Sequence, residues 1–299
     1  MPPYSHPCSP KVYTQHQLFA CLVLKEFLRL DYRGTEELLK ESDSFRAAID
    51  LRVSPDHSTL QKASKRLLKL PLCNRLLDAT IQHAKKTPLL RSPVKLAAID
   101  ASGFEPHRAS NYFVRRRAGS GKNAGIWRTI SYRRFPKLGL VCDCSSHFIL
   151  AAVPHRGPSP DFDHWSKAMD QARSRVRIKT LLADAGYDAE WIHMAARIVF
   201  DSRTLIPPKH GRPTKKLPRQ YFRRRMARIF QHKRKRRPYR QRAQVETVFS
   251  QVKRRLDSSV NAHSYWSQCR ALMLKALTHN IMLLRRKQVF NRACQEPFS

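Results

Sequence analysis

The 299-residue chain carries 58 Lys and Arg against 22 Asp and Glu, a formal net charge of +36. With 41% hydrophobic residues, 14 Phe and 9 Tyr, it has the composition of a folded protein and not of a disordered tail. A field of that sign repels itself unless a polyanion neutralises it, so nucleic acid is the first partner to consider and an anionic membrane the rival. The longest apolar stretch, residues 18–30, is interrupted by Lys25, Glu26 and Arg29 and is too short to span a bilayer. The N-terminus lacks a basic segment followed by an apolar one, so the expectation is a cytoplasmic, nucleoid-associated protein. The seven cysteines include no Cys-x2-Cys pair and read as reduced, mostly buried thiols.

Residues 1–90 read as helical. Apolar residues recur at helical spacing over 12–30, and a second helix over 35–42 opens with Glu36 and Glu37, where the helix dipole favours acids. Ser54-Pro55-Asp56 reads as a cap with proline at the first helical position, opening a helix that runs to Leu68. That helix and its flank carry Lys62, Lys65, Arg66 and Lys69. Short helices of this kind suit either a helix-turn-helix DNA reader or a small packing or dimerisation unit.

Beyond Pro88 and Pro93 the character changes. Residues 95–100 form a short apolar run ending in Asp100, and 138–144 and 148–153 are β-rich around a turn, which predicts a hairpin. Residues 161–173 predict a helix, and 178–184 is a second apolar run ending in a carboxylate, Asp184. Asp188 is placed to cap a helix through Arg197, and 204–206 is a short strand stopped by Pro207-Pro208. Strands and helices in this order predict an α/β fold with a mixed sheet. Functional residues in open sheets gather beyond the carboxyl ends of strands, where Asp100 and Asp184 both stand. Asp143, between two thiols, Glu105 and His107 are weaker candidates for chemistry.

Residues 209–240 contain no Asp or Glu and interleave dense Lys and Arg with Tyr221, Phe222, Phe230 and Tyr239. Aromatics among cations favour a nucleic-acid-contacting insertion over a plain solvated loop. Residues 242–256 read as one helix, on which Arg242, Glu246 and Lys253 fall within roughly 40° of one another. Val245, Val248, Phe249, Val252 and Leu256 form the adjoining apolar face. Taken alone, Arg242 and Glu246 are an ordinary i, i+4 ion pair. Residues 269–287 have the pattern of a packing helix.

Together the spacing Tyr239-x2-Arg242-x3-Glu246-x6-Lys253 resembles the signature of the insertion-sequence DDE transposases. Residues 98–104, Ala-Ile-Asp-Ala-Ser-Gly-Phe, resemble that family's first-Asp motif, and 181–188, Leu-Leu-Ala-Asp-Ala-Gly-Tyr-Asp, its second. Residues 56–60 and 279–281 add further likeness, so the resemblance covers about 17–286. It implies a ribonuclease-H-like catalytic domain over 91–299 with a basic insertion at about 208–240, preceded by a helical DNA-binding or dimerisation domain over 1–90. The short basic segment before the Glu helix leaves out the extended β-rich insertion of some relatives.

The implied activity is that of a polynucleotidyl transferase that binds the terminal inverted repeats of its element, cleaves DNA and transfers strands. Two Mg²⁺ ions, with Mn²⁺ able to substitute, would be held by Asp100, Asp184 and Glu246, with Asp100 bridging both. Arg242 and Lys253 would grip phosphates and Tyr239 would stand against a flanking nucleotide. Double-stranded DNA, as element end and as target, is the implied partner, bound by a homodimer or larger assembly. A metal-dependent nuclease without strand transfer and an inactive, DNA-binding descendant of a transposase are the rival readings.

Overall fold

The computed structural model describes residues 1–106, 113–117, 129–209 and 217–293, so His107 lies outside the described residues. Five helices come first: α1 (Gln15–Phe27), α2 (Tyr32–Glu41), α3 (Asp43–Ala48), α4 (His57–Leu67) and α5 (Leu70–Lys86). Thr14 and Gln17 form a reciprocal cap on α1, each side chain accepting the other's backbone N–H. Asp56, not Ser54, caps α4, accepting the Ser58 N–H at 2.7 Å. Pro55 therefore precedes the cap instead of opening the helix. The Ser54 hydroxyl is engaged elsewhere, donating to the Glu36 carbonyl, while Glu36 also accepts the His57 N–H.

The strands follow in the order β1 (Val94–Gly103), β2 (Glu105–Pro106), β3 (Phe113–Arg117), β4 (Thr129–Arg133), β5 (Phe135–Asp143), β6 (Ile149–Gly157), β7 (Ile178–Leu182), β8 (Arg203–Leu205) and β9 (Ser259–Val260). The main sheet has the order β6-β5-β1-β7-β8. β5 and β6 are the expected hairpin and run antiparallel beside β1, whereas β7 and β8 run parallel to it. The sheet is therefore mixed, as expected from the sequence, and helices flank it.

Alternation along the strands sends their side chains into two cores. Ala97, Ile99, Val141 and Leu181 pack against α6 (Trp165–Arg175) and α7 (Glu190–Ile198). Ala98, Leu140, Cys142 and Leu182 pack with Leu22, Leu60, Val248 and Leu272, so the N-terminal helices share a continuous core with the sheet. The remaining helices are α8 (Tyr221–Gln231), α9 (Lys233–Arg236), α10 (Ala243–Leu256) and α11 (Tyr265–Ala293). No described helix is long and apolar enough to cross a membrane. Among the described cysteines, Cys21, Cys73, Cys142, Cys144 and Cys269 are buried free thiols.

Two long-range clamps position the later helices. Asn280 on α11 accepts the Ile149 N–H at 2.9 Å and donates to the Ile149 carbonyl at 3.0 Å, completing the β6 edge. His147, in the β5–β6 turn, contacts Gln244 Oε1 at 2.7 Å and fixes the first turn of α10. Asp188 does not cap α7, whose cap position is Ala189. Its carboxylate instead accepts the Lys209 N–H at 2.9 Å and Arg223 Nε at 3.0 Å. Glu190 accepts the Phe222 and Arg223 N–H groups, so two acids anchor the amino end of α8. Part of the basic segment is thus a docked helix.

Candidate active site

β1 and β7 pair in parallel with Ala98 opposite Leu182. Asp100 and Asp184 each lie two residues beyond that rung, so the ladder itself brings the carboxylates together. Period two also places Asp100 on the Ala98 side of the sheet, the side that α10 covers. A third acid joins them. Asp161 opens a single 3-10 turn, Asp161–His164, between β6 and α6. Oxygen atoms of Asp100, Asp161 and Asp184 all lie within 4.8 Å of one another.

The turn that carries Asp161 is seated through His164. That ring packs so tightly on β5 that a Cβ at Gly139 would stand 2.1 Å from His164 Cδ2. Lys137, buried on β5, pairs with Asp161 and donates to the Ser159 carbonyl at 2.7 Å. The sequence predicts a helix beginning at Asp161 and assigns that residue no role in the site. The available signal was the pair Asp161 and Asp163 in a chain with so few acids.

Glu246 lies in the first turn of α10, 58% exposed and outside the group of three. The apolar face of α10 is buried as its spacing predicts, through Val245, Val248, Phe249, Val252 and Leu256. Each such side chain contributes about 1.5–3 kcal/mol to holding the helix on the sheet. Arg242 closes the gap to Glu246. Its Nη2 is 3.0 Å from Asp100 Oδ2, and its Nη1 pairs with Glu246 Oε1. The pair seen in the sequence is thus a three-membered bridge.

Lys253 does not extend into solvent. It donates to Ser102 Oγ at 2.8 Å and stands 5.1 Å from the centre of the Phe104 ring. Burial lowers its pKa, and Glu105 opposes the shift. Tyr239 sits in the 3-10 turn before α10 and meets the Phe230 ring edge-on at 5.1 Å. Burial raises its pKa, while Arg242 pulls it down. Asp100, Ser102, Glu246, Ser250, Lys253 and Arg254 line one open cleft.

Burial pushes the Asp100 carboxyl up to about 6, opposed by Arg242 and the Ala101 N–H and reinforced by Asp184 and Asp161. Behind them the buried Tyr187 hydroxyl is raised well above its ordinary value, first by burial and then by the same three carboxylates. Asp100 is therefore a largely buried carboxylate held beside two others. The donors of the site are carboxylate oxygens, which hard divalent cations prefer. Between Asp100 and Glu246 a guanidinium already acts as a stand-in cation. On both counts the residues present fit divalent metal.

Asp143 and the Glu36 group are accounted for by hydrogen bonding. Asp143 Oδ2 accepts from Ser145 Oγ and from the Ser146 N–H and Oγ, closing the hairpin turn. The second group with ligand-like spacing, Glu36, Asp56 and His57, is the α4 cap described above.

The family model described as "Transposase DDE domain" matches residues 76–281. A solved structure, "Crystal structure of a pre-cleavage Mos1 transpososome", is similar at 12% identity, covering 99% of this chain and 83% of that one. Its TM-score of 0.23 is too low to bear on the fold. No curated protein matches the chain. The family match spans well over half of the residues and both strand-end aspartates, and the chain belongs to the DDE transposase domain family.

Proposed function

We propose that the chain binds the terminal inverted repeats of an insertion sequence, cleaves the DNA there and joins the exposed 3′-hydroxyls to target DNA. The observation that carries this reading is the convergence of Asp100, Asp184 and Asp161 within 4.8 Å at one end of the sheet, with Glu246 reached through Arg242. Family membership supports it.

Asp100, Asp184 and Glu246 are the proposed catalytic and metal-binding residues, with Asp161 as an added carboxylate on the same side. Two Mg²⁺ ions, or Mn²⁺ in their place, would activate the attacking hydroxyl and stabilise charge on the leaving oxygen when bound. Arg242 and Lys253 present fixed cations to phosphates beside the cut, Arg242 with the planar geometry that suits two phosphate oxygens. Tyr239, whose ring is held by Phe230, would stack on or position a flanking nucleotide. The helical region 1–90 and the basic segment at about 208–240 extend the DNA contact, the catalytic domain spans 91–299, and two ends are held by a homodimer or larger assembly. A protein of this kind works in the cytoplasm, on the nucleoid.

Strand joining separates this reading from a plain nuclease. Pre-cut end DNA with a free 3′-hydroxyl, incubated with the protein, Mg²⁺ and a supercoiled target, is expected to yield covalently joined product. Cleavage without any joined product would establish the nuclease instead.

A further inference from the structure

A cavity of about 360 Å³ lies where α1 and α4 meet the carboxyl end of α10 and the start of α11. Its wall carries Lys25, Arg29, Lys65, Arg270 and Lys275 against the acids Glu26 and Asp257. Several of these groups are already satisfied. Lys275 is paired with Glu26 at 2.8 Å, Asp257 accepts from the Ser259 N–H and hydroxyl, and Arg29 donates to the Arg254 and Arg255 carbonyls. Lys25, Lys65 and Arg270 make no ion pair with a carboxylate among the described residues. Lys25 is half-buried, with its ammonium 5.1 Å from the centre of the Tyr32 ring. Burial lowers its pKa, a cost that a bound anion would offset.

The cavity also has a defined place relative to the catalytic cleft. Glu246 and Lys253 face the cleft, while Leu256, on the same helix, lines the cavity. Ten residues of helix from Glu246 to Leu256 span about 15 Å. At 3.4 Å per nucleotide along a strand, that is about four to five nucleotides.

Resting on the reading that this chain acts on DNA, we propose that Lys25, Lys65 and Arg270 form a phosphate-binding site for the DNA backbone about four to five nucleotides from the cut. The cavity anchors the duplex where the N-terminal helices join the catalytic domain. It thereby sets the distance from a backbone contact to the carboxylates, which open-surface cations elsewhere on the chain do not.

The test measures binding of the full chain to a short duplex carrying the element's terminal repeat, as a function of salt. Lys25→Gln, Lys65→Gln and Arg270→Gln are compared with Lys167→Gln, a control for charge on the exposed side of α6. Each cavity substitution is expected to lower affinity about tenfold and to make the salt slope shallower by about 0.9, whereas the control does neither. A neutral methylphosphonate about four to five nucleotides from the cut should weaken wild type more than it weakens Arg270→Gln. Lys65 lies at the exposed rim of the cavity, so Lys65→Gln serves if a half-buried substitution unfolds the chain. Cavity variants with the affinity and slope of the control would overturn this site while leaving the DNA reading intact. A wild-type chain without salt-dependent DNA binding would overturn that reading, and the site with it.

Discussion

Arg242 Nη2 lies 3.0 Å from Asp100 Oδ2 while the other arm of the same guanidinium holds Glu246, so one side chain bridges a strand carboxylate and a helix carboxylate. The arrangement keeps like charges from repelling one another across the cleft, and it places Arg242 in competition with any cation those carboxylates would bind. Arg242→Ala is therefore expected to bind Mn²⁺ roughly three- to tenfold more tightly, by calorimetry, while cleaving DNA more slowly. Weaker Mn²⁺ binding in the variant would show that Arg242 supports the metal site and does not compete with it.

Asp161 has two potential roles, counter-charge for the buried Lys137 and oxygen donor beside Asp100 and Asp184. Asp161→Asn separates them. The donor role predicts Mn²⁺ affinity lower by roughly tenfold or more, the size of effect seen when groups supporting a metal site are lost. A fall in melting temperature with unchanged Mn²⁺ affinity would leave Asp161 as the partner of Lys137 alone.

The contrast between Asp161 and the other acids shows where the sequence is informative. Asp100 and Asp184 end apolar runs, and a run that stops in a carboxylate is visible in one dimension. The face of α10 is equally visible, because its apolar residues follow the helical period. Asp161 opens a one-turn helix, where acids are common for local electrostatic reasons, and tertiary contacts, His164 on Gly139 and Lys137 on Asp161 and Ser159, bring it to the site. Asp188 is the opposite case. Its position suits a cap, but Arg223 and the Lys209 amide arrive from distant parts of the chain and take its oxygens. The two functions of Arg242 were half legible: the contact with Glu246 follows from helical spacing, the contact with Asp100 from tertiary structure.

Asn280 is fully buried and satisfies both backbone groups of Ile149 at the β6 edge, with a further bond to Thr80 Oγ1 at 3.2 Å. Asn280→Ala would leave a buried N–H and a buried carbonyl unpaired. The expected cost is about 3 kcal/mol, read from denaturant unfolding. A loss below about 1 kcal/mol would mean that water or a shifted β6 replaces the side chain.

Burial lowers the pKa of His279 from 6.5 to about 4, opposed by its hydrogen bond to the His147 carbonyl. The folded value lies below the unfolded one, so the unfolded chain binds more protons between them. This group's contribution to stability is complete above pH 6.5, declines as pH falls, and reaches its full loss near pH 4. That loss is on the order of 3 kcal/mol. His279→Gln retains a donor for the His147 carbonyl and removes the titration, so its melting temperature should fall less steeply between pH 6.5 and 4. Parallel profiles for the two proteins would contradict this assignment.

Carboxylates from β1, the end of β7 and α10 are proposed to act together on DNA. The most direct test is cleavage of labelled duplex carrying the element's ends, in Mg²⁺, by wild type and by Asp100→Asn, Asp184→Asn and Glu246→Ala, with binding of the same duplex measured in parallel. Wild type is expected to cut at the ends, all three variants to lose cutting, and each to retain binding. Undiminished cutting by any one of the variants would contradict that joint action.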